Sequence, residues 1–195
     1  MEADECEELA VGLYRVRLRG FEADFRQVLG EFFSSREYWR YSHKIGGRWE
    51  NVYLSVERAS AVRPILSLAA AEASRLYETH VVCGHGVLED SFWFNLMEAG
   101  DETRWHNHKS RATVSGVCYL QVPARSGSFL YRSEDGEERA LAPEVGDILF
   151  FPPATNHAVA RGENSSSRVS LAFNLFTLPL ELGEDEPFGG HPLFD

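Results

Sequence analysis

The chain has 195 residues, a length that suits one domain, and 44% of these residues are hydrophobic. A chain this apolar can bury a core, which excludes disorder along its whole length. Its 19 Lys and Arg residues stand against 30 Asp and Glu residues, so the net charge is −11. This balance argues against nucleic acid and anionic membranes as partners, because both require clustered basic residues.

The cysteines and the N-terminus indicate a cytoplasmic protein. Cys6, Cys83 and Cys118 are scattered and form no Cys-x-x-Cys pair, so the sequence predicts no zinc knuckle and no dithiol redox site. The first residues are acidic and do not resemble a signal peptide, and no apolar run is long enough to cross a membrane. A reducing cytoplasm is therefore the expected location.

The first ninety residues are predicted to be mainly helical. Residues 2–8 are acidic and are expected to form a solvated tail. Residues 12–19 alternate apolar and basic side chains, which predicts a strand. Apolar residues at spacings of three and four predict helices over 21–34 and 62–77, each with one buried face.

From Ser91 onward the pattern changes to short β-rich runs separated by turn signals. The runs are SFWFNLM, ATVSGVCYLQV, GSFLYR, DILFF, HAVAR and RVSLAFNLFTL. Several short strands at this spacing predict a sandwich, barrel or jelly roll rather than a parallel α/β sheet. We expect a single domain over 1–195: residues 1–90 form a helical support, residues 91–180 form a metal-binding β-barrel core, and residues 181–195 form an acidic tail.

Three histidines indicate a metal site. His106 and His108 lie in the sequence RWHNHK, and residues i and i+2 of an extended chain point to the same face. His157 follows a buried strand and a Pro-Pro turn, a position that suits the mouth of a barrel. Neutral imidazole is a good ligand for iron, copper, nickel or zinc. Two ligands from one strand and a third from a later strand could hold a metal with open positions.

Four stretches between residues 94 and 175 carry a family resemblance: FNLMEAGDETRWHNH, SGVCYLQVP, GDILFFP followed by NHAV, and RVSLAFNL. In this order they resemble a family of 2-oxoglutarate/Fe(II) oxygenases found in bacteria and phages. The resemblance implies a mostly β fold with flanking α, namely a double-stranded β-helix (a jelly-roll, cupin-like barrel) with the N-terminal helices packed outside. It also implies Fe(II) bound by His106, His108 and His157, with 2-oxoglutarate as co-substrate.

Arg168 and Ser170 extend the resemblance, because enzymes of this superfamily use such an Arg for the C5 carboxylate of 2-oxoglutarate. Arg-x-Ser on a strand places a guanidinium fork and a hydroxyl on one face, which suits a carboxylate. An Arg on a strand is otherwise expected to pair with a nearby acid. Asn95 and Tyr119 lie on strands that should line the barrel and could hydrogen-bond 2-oxoglutarate, with core packing as the equal alternative.

One position departs from the superfamily pattern. Better-known members bind iron with His-x-Asp or His-x-Glu and a distal His, whereas position 108 here is His. Three imidazoles leave the site one unit more positive, which leaves the identity of the metal open. Asp101 or Glu102 could supply a carboxylate from the preceding turn, although a turn residue is less well fixed than a strand residue.

The predicted activity is that of a non-haem Fe(II)- and 2-oxoglutarate-dependent dioxygenase. It would use dioxygen to hydroxylate a small molecule or a protein or peptide side chain. One alternative is a three-histidine cupin-type dioxygenase that does not use 2-oxoglutarate, in which Arg168 grips a substrate carboxylate. Another is a non-catalytic barrel that binds a structural or regulatory metal. The sequence does not name the prime substrate, and it leaves a homodimer open.

Overall fold

The computed structural model describes residues 1–45, 48–84, 91–108, 112–133 and 135–179. The predicted acidic tail over 181–195 lies outside these residues. No helix in the described residues is long and apolar enough to span a membrane. The elements in chain order are β1 Glu2–Ala10, β2 Leu13–Arg19, α1 Glu22–Ser34, a 3₁₀ turn Arg36–Tyr38, β3 Arg40–Ile45, β4 Arg48–Tyr53, α2 Val62–Leu76, β5 Val82–Cys83, β6 Phe92–Met97, β7 Thr103–His106, β8 Val114–Gln121, β9 Phe129–Arg132, β10 Glu138–Leu141, β11 Asp147–Phe151, β12 His157–Val159 and β13 Arg168–Phe176.

The strands form two antiparallel sheets. Within the described residues, the larger sheet has nine strands in the order β1-β2-β11-β8-β13-β6-β4-β3, with β5 beside β13. The smaller sheet has four strands in the order β10-β9-β12-β7. Apart from the hairpins β1–β2, β3–β4 and β9–β10, neighbouring strands are far apart in sequence, as in a jelly roll, where the chain passes repeatedly between two sheets. The predicted mostly β jelly-roll barrel is therefore confirmed.

Strand β13 is the centre of the larger sheet, with β8 on one side and β6 on the other. All of its residues are buried, because one face packs against the helices and the other faces the barrel interior. Alternate residues of a strand point to opposite faces. Residues of β13 at even positions, from Arg168 to Asn174, therefore belong to the interior face, and those at odd positions belong to the core under the helices.

Both predicted helices pack on the outer face of the larger sheet. Helices α1 and α2 bury one stripe each in the same apolar core as the outward side chains of the sheet. Phe32 of α1 stacks on Phe94 of β6 and on Trp39, with 4.4 Å between ring centroids in both pairs. The helices thus cover an apolar sheet face that would otherwise be exposed to water, as the sequence predicted.

The acidic segment over 2–8 is not the solvated tail that its composition predicts. It forms β1, an edge strand paired along its length with β2. The register sets acidic residues opposite the basic residues of β2, and Glu7 pairs with Arg15 and Glu5 with Arg17. Opposite charges on facing positions favour pairing, although exposed ion pairs contribute little each. Charge density alone gave no sign of this partner strand.

The first ninety residues also contain more strand than predicted. Strands β3 and β4 pair with each other, and β4 joins the larger sheet through its pairing with β6. Polar strands near a sheet edge lack a strong apolar alternation, because their pairing depends on neighbours that are distant in sequence. Residues 1–90 therefore supply strands to both ends of the larger sheet in addition to the two helices.

The aromatic stack at Phe32 is expected to anchor α1. Phe32→Ala should lower the free energy of unfolding by about 3–5 kcal/mol, the usual cost of deleting a buried aromatic ring. Phe33→Ala is the matched control, because its neighbouring ring is only partly buried. Chemical denaturation of the purified variants measures both. Equal losses in the two variants would contradict a specific role for the Phe32 stack.

We propose that the barrel and its N-terminal support fold as one domain. Strands β2 and β4 are hydrogen-bonded to β11 and β6 of the barrel core. A fragment that starts at Ser91 lacks β2 and β4, so its β11 and β6 lose these neighbours. Such a fragment should lack a cooperative unfolding transition by circular dichroism, whereas the full chain should show one. A fragment that unfolds cooperatively on its own would overturn the single-domain assignment.

Candidate metal centre and anion pocket

A cavity of about 500 Å³ lies between the two sheets. This volume is within the range of small-molecule sites in proteins, roughly 300–1,000 Å³. The described residues that line the cavity include three histidines, one arginine and several amides, and none of them is Asp or Glu. The lining residues are Asn51, Tyr53, Trp93, Asn95, Met97, Thr103, His106, Asn107, His108, Gly116, Val117, Tyr119, Phe129, Phe151, His157, Val159, Arg168, Ser170, Ala172 and Asn174.

The smaller sheet brings the three predicted histidines together. His106 ends β7 and His157 begins β12, and the two are direct partners in the antiparallel register. His108 lies two residues further along, where its backbone N–H donates to the carbonyl oxygen of Pro153 over 2.8 Å. One potential ligand atom from each imidazole lies within 4.8 Å of those of the other two. The arrangement can hold one metal ion between three imidazoles.

Hydrogen bonds orient the two paired histidines. His106 Nδ1 is 2.8 Å from the carbonyl oxygen of Arg104, and His157 Nδ1 is 2.9 Å from that of Thr155. A carbonyl oxygen can only accept, so in the neutral form of each ring Nδ1 carries the hydrogen and Nε2 keeps its lone pair. In both rings Nε2 is therefore the nitrogen that can bind a metal.

The environment of His157 keeps its imidazole neutral. Burial and, to a smaller extent, the neighbouring His106 together lower the pKa of His157 to about 3, against the opposing effect of the Thr155 carbonyl. The rings of Phe129 and Phe151 lie beside it, with centroids 5.6 and 4.8 Å from that of the imidazole. A metal ligand must be deprotonated at the binding nitrogen, so this apolar surrounding favours the binding form.

The two carboxylates considered as alternative ligands are engaged elsewhere. Asp101 Oδ2 accepts the backbone N–H of Glu98 over 2.8 Å and so closes the turn before β7. Glu102 lies 3.4 Å from the guanidinium of Arg161. Neither residue joins the histidine group that the described residues form. The third imidazole, rather than a turn carboxylate, completes this group.

Arg168 lies in the same cavity as a buried cation. Its side chain comes from the first residue of β13 and is 3% exposed. Nη1 donates to the carbonyl oxygen of Gly127 over 2.7 Å, and the guanidinium carbon is 5.0 Å from the centre of the Tyr119 ring. Its Nε is buried without a hydrogen-bond partner in the part of the chain that is described.

No described carboxylate lies within ion-pair distance of Arg168, so the expected pairing with a nearby acid is absent from those residues. Burial lowers the pKa of the Arg168 guanidinium, because desolvation disfavours its charged form. A buried charge without a counter-ion is costly. This cavity end is therefore suited to an anionic ligand.

The other predicted pocket residues form a row across three strands. Ser170 on β13 is the register partner of Tyr119 on β8 and of Asn95 on β6. The Tyr119 hydroxyl is buried without a partner among the described residues, and burial raises its pKa to about 12 although Arg168 opposes this shift. Asn95 Nδ2 donates to Asn51 Oδ1 over 3.1 Å. All three side chains line the cavity beside Arg168.

Sequence reasoning missed three polar side chains of the site. Asn174 lies six residues after Arg168 on the same strand, so a period of two along β13 could have identified it. Ser115 is its partner on β8, and only the sheet register reveals this position. Asn51 comes from β4, a strand that the sequence analysis did not predict.

The fold and the site define a jelly-roll barrel with a candidate metal centre and a buried arginine in one cavity, and the comparisons agree with this class. Residues 91–174 match the model of a family described as "Putative 2OG-Fe(II) oxygenase", which confirms the resemblance seen in the sequence. This segment is less than half of the chain and contains all seven predicted site residues. Enzymes of that family use Fe(II) and 2-oxoglutarate, and the three-imidazole group fits iron. A search of curated proteins finds no match.

Solved structures establish the fold as a double-stranded β-helix. A prolyl-4-hydroxylase of Pseudomonas putida is 17% identical with a TM-score of 0.62, over 85% of this chain and 92% of that one. The α-ketoglutarate-dependent epimerase SnoN from nogalamycin biosynthesis is 16% identical with a TM-score of 0.68, over 85% and 78%. A prolyl hydroxylase of Trichoplax adhaerens, in complex with a hypoxia inducible factor peptide, is 12% identical with a TM-score of 0.62, over 85% and 83%.

The uncompensated charge of Arg168 should lower the stability of the ligand-free protein. Arg168→Met should therefore raise the melting temperature without added ligand, where about 1 kcal/mol corresponds to roughly 2–4 °C for a chain of this size. Differential scanning calorimetry measures the change. A lower melting temperature would instead mean that the guanidinium serves mainly to hold the structure together through the Gly127 carbonyl.

Proposed function

We propose that the protein is a non-haem Fe(II)- and 2-oxoglutarate-dependent dioxygenase. In this proposal His106, His108 and His157 hold the iron, and Arg168 binds the distal carboxylate of 2-oxoglutarate. The observation that carries it is a buried guanidinium without a described carboxylate partner, in one cavity with three converging imidazoles. A metal centre and an anion pocket in the same cavity suit a co-substrate that binds the metal at one end and an arginine at the other.

Bound iron would supply the redox chemistry that couples oxidation of a prime substrate to the conversion of 2-oxoglutarate and dioxygen into succinate and carbon dioxide. For a hydroxylation, one oxygen atom enters succinate and the other enters the product. The side chains of this protein bind, orient and exclude water. The Phe129 and Phe151 rings beside His157 protect the centre from bulk water.

In this proposal Ser170, Tyr119 and Asn95 surround the carboxylate that Arg168 binds. The guanidinium presents N–H donors to the carboxylate, and Ser170 lies two residues along on the same strand face, where its hydroxyl can donate to the same group. The Tyr119 hydroxyl, buried and without a described partner, stays protonated at neutral pH and can donate as well. Asn95 is held by Asn51 and completes the wall.

Charge balance favours 2-oxoglutarate over an uncharged ligand. Three neutral imidazoles leave both charges of Fe(II) uncompensated, and Arg168 adds a third positive charge to a cavity without a described acidic lining residue. A dianion that spans the metal and the guanidinium neutralises most of this charge. The three-histidine dioxygenase that does not use 2-oxoglutarate would need its own substrate to supply the carboxylate for Arg168.

The prime substrate is proposed as a small molecule or a peptide side chain in the cytoplasm. The similar structures cover both classes, since one binds a peptide of hypoxia inducible factor and another comes from nogalamycin biosynthesis. The cavity of about 500 Å³ has the size of a small-molecule site and contains Trp93 and Tyr53 next to the amides. Aromatic and amide groups together recognise uncharged polar substrates.

The decisive experiment is an anaerobic titration of the Fe(II)-loaded protein with 2-oxoglutarate. The proposal expects a visible metal-to-ligand charge-transfer band that saturates, and formation of succinate after dioxygen is admitted. Saturable iron binding without the band and without succinate would favour the three-histidine dioxygenase that does not use 2-oxoglutarate. Absence of iron binding would overturn the proposal.

Arg168→Ala should weaken binding of 2-oxoglutarate without affecting iron. The loss of a charge-assisted bidentate contact in a buried pocket costs about 2–5 kcal/mol, which raises the apparent constant for 2-oxoglutarate roughly 30-fold or more. Arg168→Lys should restore only part of the affinity, because a single ammonium cannot reproduce the fork. Arg161→Ala, which removes an exposed arginine, is the control. Unchanged succinate formation by Arg168→Ala at low 2-oxoglutarate would contradict the assignment.

His157→Ala should abolish stoichiometric binding of Fe(II), because it removes one of three converging ligands. Anaerobic competition with a chromophoric chelator measures the affinity. The control is His80→Ala, since His80 is an exposed histidine outside the group. Equal iron affinities for the two variants would show that the three histidines are not the metal site.

A further inference from the structure

We propose that Ser115 and Asn174 form a hydrogen-bond relay that fixes the tautomer of His108 and so directs its Nε2 to the metal. This inference rests on the proposed iron site and assigns two positioning residues behind it. The relay consists of His108 Nδ1, the Ser115 hydroxyl and the Asn174 side-chain oxygen. It joins the third imidazole, which belongs to the segment after β7, to the centre of the larger sheet.

The contacts form a continuous chain from one sheet to the other. His108 Nδ1 is 3.0 Å from Ser115 Oγ, and Ser115 Oγ donates to Asn174 Oδ1 over 2.8 Å. Ser115 and Asn174 are register partners on β8 and β13, and both are buried. Their backbones lie in the interior of the sheet, so the relay has a rigid base.

The direction of the relay determines the state of the imidazole. A hydroxyl has a single hydrogen, and Ser115 gives it to the Asn174 oxygen. The hydroxyl oxygen can then only accept from His108, so Nδ1 carries the hydrogen and Nε2 keeps its lone pair. Without the amide oxygen, the same hydroxyl could donate to Nδ1 and place the hydrogen on Nε2, which would block metal binding.

The described Nδ1 partner of His108 differs in kind from those of His106 and His157. Backbone carbonyls two residues earlier hold Nδ1 of His106 and His157, and a carbonyl cannot donate. The described Nδ1 contact of His108 is instead with the Ser115 hydroxyl, which can either donate or accept a hydrogen bond. Asn174 is therefore the residue that turns an ambiguous partner into a fixed acceptor.

The relay is neutral, and this has a chemical consequence. A carboxylate behind a metal-bound imidazole raises the basicity of the ligand and adds negative charge. Serine and asparagine orient His108 without adding charge. The centre thus keeps the net positive charge that the dianionic co-substrate of the proposed reaction would neutralise.

Nitrogen-15 NMR of the metal-free protein tests the tautomer directly. In the natural chain, at a pH where the imidazoles are neutral, all three histidines should show a protonated Nδ1 and an unprotonated Nε2. Ser115→Ala and Asn174→Leu should convert His108 to a mixture of tautomers while His106 and His157 stay unchanged. Asn174→Asp keeps an acceptor, so the His108 tautomer should be retained. A His108 signal that is the same in all four proteins would overturn the relay.

Iron affinity supplies the second readout. Removal of a group that orients a metal ligand typically weakens metal binding about 10–100-fold, and we expect Ser115→Ala to fall in this range under anaerobic competition. Ser74→Ala is the matched control: its hydroxyl donates to the carbonyl of Ala70 and accepts from the N–H of Val81, but lies on α2 outside the cavity. It should lose comparable stability and retain full iron affinity.

The outcomes separate this inference from the proposed function. If the natural chain binds no Fe(II), the proposed metal centre fails, and the NMR result still decides whether the relay exists. If the natural chain binds Fe(II) and Ser115→Ala binds it equally tightly, the positioning role is overturned while the metal centre stands. Equal weakening in Ser115→Ala and Ser74→Ala would show that a loss of stability, and not of orientation, causes the effect.

Discussion

The buried guanidinium of Arg168 is the constraint on which the site depends. It lies at the start of the central strand of the larger sheet, with one hydrogen bond to the Gly127 carbonyl and no described carboxylate in reach. Folding must desolvate most of this charge, because the side chain is only 3% exposed. The fold therefore holds a buried cation in place without a described counter-ion.

The two sheets divide the chemistry between them. The smaller sheet and the segment that follows β7 provide the three imidazoles, whereas the larger sheet provides Arg168, Ser170, Tyr119 and Asn95. Both sheets line the cavity, so its shape is kept only if they stay fixed relative to each other. The Ser115–Asn174 relay contributes to this by tying His108 to the larger sheet. The helices contribute from the outer face, where their apolar stripes complete the core.

The cavity and the chain as a whole carry charge of opposite sign. Burial keeps the imidazole of His157 neutral, the Arg168 guanidinium is a buried cation, and the described lining of the cavity contains no acid. The acidic surplus of the chain lies partly on β1, where it pairs with the arginines of β2. A chain with a net charge of −11 thus encloses a positive interior. This separation suits a small anion that is drawn from solution into a partly desolvated pocket.

The sequence determined what depends on local pattern and on residue type. The period of two places His106 with His108 and Arg168 with Ser170, the periods of three and four give both helices, and the turn signals give the β-rich half. The tertiary structure decided what depends on neighbours far along the chain. The pairing of β1 with β2, the addition of β4 and the Ser115–Asn174 pair behind His108 follow from strand register, because hydrogen bonding between strands joins residues that no local pattern relates. The contacts that keep Asp101 and Glu102 out of the histidine group are visible only in the folded chain.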